Sequence, residues 1–109
     1  MMMHWTILII AGLFETGFAF CLGKARISEG SIAAGWYAGF GICLLISMAL
    51  LIKSVQVLPV GTAYAVWTGI GAVGTVIAGV FFLNEPAGFW RLFFVFTLIA
   101  SVVGLKITE

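Results

Sequence analysis

Residues 8–22 read LIIAGLFETGFAFCL, thirteen apolar or glycine residues interrupted by Thr16 and by a full carboxylate, Glu15. The other acids, Glu29, Glu85 and Glu109, fall in short polar segments or at the chain end, so Glu15 is the one acid inside a long apolar run. A charged side chain at the centre of a membrane span costs about 2.5–3.5 kcal/mol. Such a carboxylate therefore rests in one of two states. It is neutral and carries a proton, or it is ionised with a cation beside it. Alternation between the two is an exchange chemistry, proton for cation. The competing reading is a structural glutamate that stays protonated and hydrogen-bonds across helices.

Gly12 and Phe18 lie three residues before and after Glu15, on the same helical face. Gly12 leaves room for a ligand or for another backbone, and it equally suits plain helix packing. Phe18 offers the site a ring, or only fills space. Two further runs carry polar groups. Ser47, in LLISMALL, can donate to the carboxylate or a ligand, or bond back to the carbonyl four residues earlier. Tyr64 and Trp67, in GTAYAVWTGIG, share a face two turns or more inside their run. Aromatic-belt anchoring explains Trp5 and Trp90 better than it explains Trp67. The interior pair suits cation–π contacts and a phenol that holds a carboxylate.

The elements that must position these groups follow from composition. The 109 residues are 63% hydrophobic and 8% charged, against about half and a quarter in soluble domains. A spanning helix needs about 20 apolar residues, and four runs qualify: 5–23, 31–52, 58–83 and 88–105. Backbone groups in lipid must be satisfied internally, so the spans are helices. The expected architecture is one all-α integral membrane domain over 1–109, in contact with lipid and without a soluble part. The links are KARISEG (24–30), KSVQVLP (53–59) and NEP (84–86). Pro59 suits a helix start. The MMMH start lacks Lys and Arg and no small-residue cleavage site follows, so no cleaved leader is expected.

Net charge is +1, which leaves no basic footprint for nucleic acid. Cys21 and Cys43 lack CxxC spacing and read as free thiols in packed positions. No metal set and no nucleophile–base pair is visible, so neither a cofactor nor an enzyme is expected. Four spans put both termini on one side with Lys53 and Lys106, against Lys24, Arg26 and Arg91 on the other. Two against three gives no firm orientation, and a chain that inserts both ways can pair with an inverted copy. Four short helices enclose little space, so a pathway needs that second copy. Ala100 and Gly104 form a small-xxx-small pair suited to helix association. Gly61, Gly69, Gly71, Gly74 and Gly79 crowd the third span, and Gly69-Ile70-Gly71 is a candidate bend.

The segment LPVGTAYAVWTGIGAVGTVIAGVFFLNEP (58–86) resembles the third span and following loop of the small multidrug resistance family, in its guanidinium-exporter subtype. IIAGLFE (9–15) with Lys24 nine residues after the glutamate, ISMALL (46–51) and GLK (104–106) fit the remaining spans, while 25–45 carries no specific match. The resemblance implies an antiparallel, dual-topology dimer of four-helix subunits that expels guanidinium compounds in exchange for protons. It implies Glu15 as the shared proton and substrate site. Ser47 would be its hydrogen-bonding serine, Tyr64 and Trp67 would line the site, and Gly12 would be the glycine one turn before. The subtype typically has a tryptophan where this chain has Phe18, and phenylalanine cannot donate. That departure suits a homodimer tolerant of hydrophobic substituted guanidines, or one half of a heterodimer. Lys53 replaces a usual apolar residue and can snorkel. The expected activity is proton-coupled antiport of guanidinium-type cations in a bacterial inner membrane. The rivals are a broader quaternary-ammonium exporter of the same fold, a heterodimer subunit and a non-transporting partner.

Overall fold

The computed structural model describes residues 2–108 as four helices and no strand: α1 Met2–Arg26, α2 Gly30–Ser54, α3 Val60–Phe82 and α4 Phe89–Thr108. All four are long and apolar enough to cross a membrane. At 1.5 Å per residue the 25 residues of α1 reach about 37 Å, more than a hydrocarbon core of about 30 Å. The chain is thus an all-α protein of four membrane-spanning helices. The expected runs were shorter at most ends, because the interfacial turns carrying His4, Lys24, Arg26, Lys53 and Lys106 are helical too.

Two ends differ from the hydropathy boundaries for local reasons. Pro59 sits just outside α3 at φ −57°, and its carbonyl accepts the Ala63 N–H at 2.9 Å. Proline thus opens the helix without a donor to waste. At the other end of α3 the Gly79 carbonyl accepts the N–H of both Leu83 and Glu85 at 3.0 Å, and Asn84 takes a left-handed φ of 56°. Asparagine tolerates that conformation better than most residues, and the chain turns away there.

α1 is the centre of the subunit. It packs against both α2 and α3, while the α4 backbone approaches only α3. The buried core lies where α1 and α3 face each other, with Trp5, Leu8 and Ala11 against Ala63, Val66 and Trp67. On the α1–α2 seam the two thiols fill spaces left by glycines of the opposite helix. A Cβ at Gly17 would lie 3.4 Å from Cys43 Sγ, and one at Gly39 would lie 3.2 Å from Cys21 Sγ. Among its described residues α4 buries none. Its Phe89, Trp90, Phe94 and Phe96 stand outward, and so do Ala100 and the open face of Gly104.

Helix α3 runs unbroken through Gly69-Ile70-Gly71. Its glycines admit neighbours at close range. Val102 of α4 packs on Gly69, the Glu15 carboxylate on Gly71 and Thr16 on Gly74. The small residues that suggested a bend are seats for side chains of other helices.

Candidate functional site

Glu15 falls one residue past the middle of α1, a helix of 25 residues. It is half-buried, and its carboxyl group lies directly on Gly71 of α3. A Cβ built at Gly71 would lie 2.6 Å from Glu15 Cγ and nearer still to the carboxyl atoms. Glycine is the residue that lets the carboxylate reach this position. Its Oε1 is buried and has no hydrogen-bond partner among the described residues. Buried polar atoms are nearly always paired, so this unpartnered carboxylate oxygen is the exception among the side chains about the crossing.

The neighbours of Glu15 hold the helix crossing. Gly12 meets Ile70 of α3, where an added Cβ would fall 2.7 Å from Ile70 Cβ. The space left by Gly12 is thus taken by α3 within the subunit. Thr16 was visible in the sequence only as a break in an apolar run. Its hydroxyl lies 3.3 Å from the carbonyl oxygen of Gly12 and 3.4 Å from that of Gly71. The Gly71 carbonyl also accepts from Thr75 at 2.6 Å. Gly71 and Thr16 join the site from its supporting side. The clue for Thr16 was its adjacency to Glu15. Gly71 carried none, being one of five glycines in its span.

Ser47 is fully buried, but it bonds neither the carboxylate nor the carbonyl four residues back. Its hydroxyl donates to the Ala11 carbonyl of α1 at 2.7 Å and accepts from the indole N–H of Trp67 at 2.8 Å. One relay thus ties α3, α2 and α1 together a turn before Glu15. Back-bonds do form in these packed helices, as from Ser54 to the Leu50 carbonyl at 3.0 Å. At Ser47 a neighbouring carbonyl lies in reach, and Trp67 needs an acceptor once buried. Tyr64 packs on Trp67 with ring centroids 5.7 Å apart, and it remains 58% exposed. Phe18 turns to α2 and meets the Phe40 ring edge-on at 5.6 Å. Glu15, Gly12, Ser47 and Trp67 therefore gather about the α1–α3 crossing. Tyr64 stands on its open side, and Phe18 leans onto the α1–α2 seam.

The remaining charges lie near the helix ends. Lys24 stands 5.7 Å from the Phe20 ring centroid, Lys106 stands 5.1 Å from that of Trp5, and Arg91 pairs with Glu85 at 2.8 Å. Glu15 sits apart from these pairs.

The model of the family described as Small Multidrug Resistance protein matches residues 3–99. The chain belongs to the small multidrug resistance family. It is 42% identical to a guanidinium exporter of Salmonella typhimurium, over 97% of this chain and 98% of that protein. It is 41% identical to a guanidinium exporter of Escherichia coli K12 and 39% to one of Citrobacter freundii, over the same shares. Family membership and the four spans make this small multidrug resistance protein a multi-pass membrane protein.

Proposed function

We propose that this small multidrug resistance protein is a proton-coupled antiporter, exporting guanidinium or substituted guanidinium ions across a bacterial plasma membrane as an antiparallel homodimer. The observation that carries the reading is the orphaned Oε1 of Glu15, half-buried at mid-helix. Its relatives' name, guanidinium exporter, supplies the cation class. A carboxylate and a planar guanidinium form parallel N–H···O bonds that are short and charge-assisted. Glu15 holds the cation or the proton, never both, so each occupant must leave before the other binds. Exchange follows from that exclusion, and cation binding weakens as pH falls because protons claim the same oxygens.

Within one subunit the site is incomplete. Tyr64 is largely exposed beside it, and α4 offers an unburied apolar face. A second copy would cover those surfaces. Charges of two against three at the two ends leave both insertions open. In cells expressing this chain alone, tagged C-termini are expected on both sides of the membrane in comparable amounts, by accessibility labelling. A single orientation would show that the pair requires a different partner subunit.

Phe18 sets the preference among guanidinium compounds in this reading. Its ring gives Glu15 no donor and gives an alkyl substituent an apolar surface, worth about 0.8 kcal/mol per buried methylene. In Phe18→Trp an indole that leaves the Phe40 contact on α2 would offer Glu15 a donor. The ratio of guanidinium to alkylguanidine affinity is expected to rise about three- to tenfold in that variant, measured by calorimetry at fixed pH. An unchanged ratio would reduce Phe18 to a packing residue. Uptake of guanidinium, a substituted guanidine and a quaternary ammonium into proteoliposomes tests the substrate class. Preference for the quaternary ammonium would overturn the guanidinium reading in favour of a broader exporter.

A further inference from the structure

A second carboxylate in this molecule already holds a guanidinium group. Glu85 follows α3, and its side chain folds back over the last turn of that helix. A Cβ built at Gly79 would fall 2.7 Å from Glu85 Cδ, so the carboxyl group rests where only glycine leaves room. The Glu85 N–H bonds the Gly79 carbonyl at 3.0 Å, and Asn84 holds the reversal in left-handed conformation. The side chain is therefore set by the backbone. A helix C-terminus carries negative partial charge, and a carboxylate laid on it concentrates that charge. This arrangement is stable with a cation on top, and Arg91 provides one through a 2.8 Å bond.

The pair is open to exchange. Glu85 and Arg91 side chains remain 42% and 35% exposed, and exposed ion pairs hold weakly. Glu85 also lines an open cavity of about 450 Å³ whose walls include Leu22 and Arg26 of α1, Tyr37 of α2 and Thr75 of α3. Thr75 lies one turn from Gly71 and bonds its carbonyl, and Gly71 is the seat of Glu15. A water occupies about 30 Å³, so the cavity has room for a small planar ion with part of its shell.

We infer that the Glu85 carboxylate, folded over the C-terminal turn of α3, is an outer binding site for free guanidinium-type cations, where they replace the tethered guanidinium of Arg91. The inference rests on the proposed substrate class and adds a station beside a cavity that Thr75, one turn from the seat of Glu15, also lines.

The test uses full-length Glu15→Gln protein in lipid nanodiscs, so that the inner site is silent. Guanidinium chloride is titrated at constant ionic strength while the Glu85 carboxyl carbon is followed by NMR. Saturable millimolar binding is expected. In Glu15→Gln/Arg91→Gln the tethered competitor is gone, and binding should tighten about two- to fivefold. In Glu15→Gln/Glu85→Gln, with binding followed by guanidinium line broadening, it should weaken at least about tenfold. Equal binding with and without the Glu85 carboxylate, or no gain on removing Arg91, would overturn the outer site. Wild-type protein titrated in parallel separates the two readings. Tight binding that Glu15→Gln abolishes upholds the substrate class whatever Glu85 does, and its absence counts against that class alone.

Discussion

Glu15→Gln is expected to insert and fold as the wild type does and to move no guanidinium. The amide is neutral and nearly the same shape, so the packing against Gly71 is kept and the charge at mid-helix is gone. What the substitution removes is the ionised acceptor. A hydrogen bond to a charged group contributes about 1.5–3 kcal/mol, and a bidentate carboxylate–guanidinium contact has two. Affinity should fall more than about a hundredfold, and the residual flux should lose its response to a pH gradient, because an amide does not titrate. Calorimetry and proteoliposome uptake on the same preparation measure both. Near-normal uptake by well-folded Glu15→Gln protein would remove Glu15 from the mechanism.

Gly71→Ala is the second large expected effect, and it comes from a residue with no chemistry of its own. The added Cβ would stand 2.6 Å from Glu15 Cγ and collide with the carboxyl group. Either α1 and α3 separate or Glu15 leaves its seat. Overpacking of this kind costs about 1–3 kcal/mol, and the displaced carboxylate should reduce uptake at least about tenfold. Gly88→Ala is the control, since a Cβ there meets nothing within 4 Å. Equal uptake by the two variants would show that the Gly71 seat does not matter for transport.

The parts of this protein that were legible in its sequence are those that depend on one-dimensional composition. Four helices follow from four apolar runs, and Glu15 stands out because it is the one acid inside such a run. The contacts among helices were less legible. Ser47 was read as donating to the carboxylate, to a ligand or to its own helix, whereas within the subunit it bridges Ala11 and Trp67. That choice depends on which carbonyl of a neighbouring helix comes within reach, and a single helix's periodicity carries no such information. Gly69 and Gly71 suggested a bend because glycine weakens helices, yet here their missing side chains admit Val102 and Glu15. Thr16 looked like a neutral interruption, and its acceptors became visible only with the α1–α3 crossing. The helices extend a few residues past the expected spans at most ends, since charged groups at the interface remain in helical turns that hydropathy alone excludes.

The central claim is that one carboxylate serves proton and guanidinium in turn. Purified protein is reconstituted into liposomes with labelled guanidinium at equal concentration inside and out, and a pH difference is imposed with the membrane potential clamped. Guanidinium should accumulate in the more acidic compartment, should reverse direction when the pH difference is reversed, and should stay at equal concentrations with Glu15→Gln. Guanidinium fluxes indifferent to the pH difference would contradict the account.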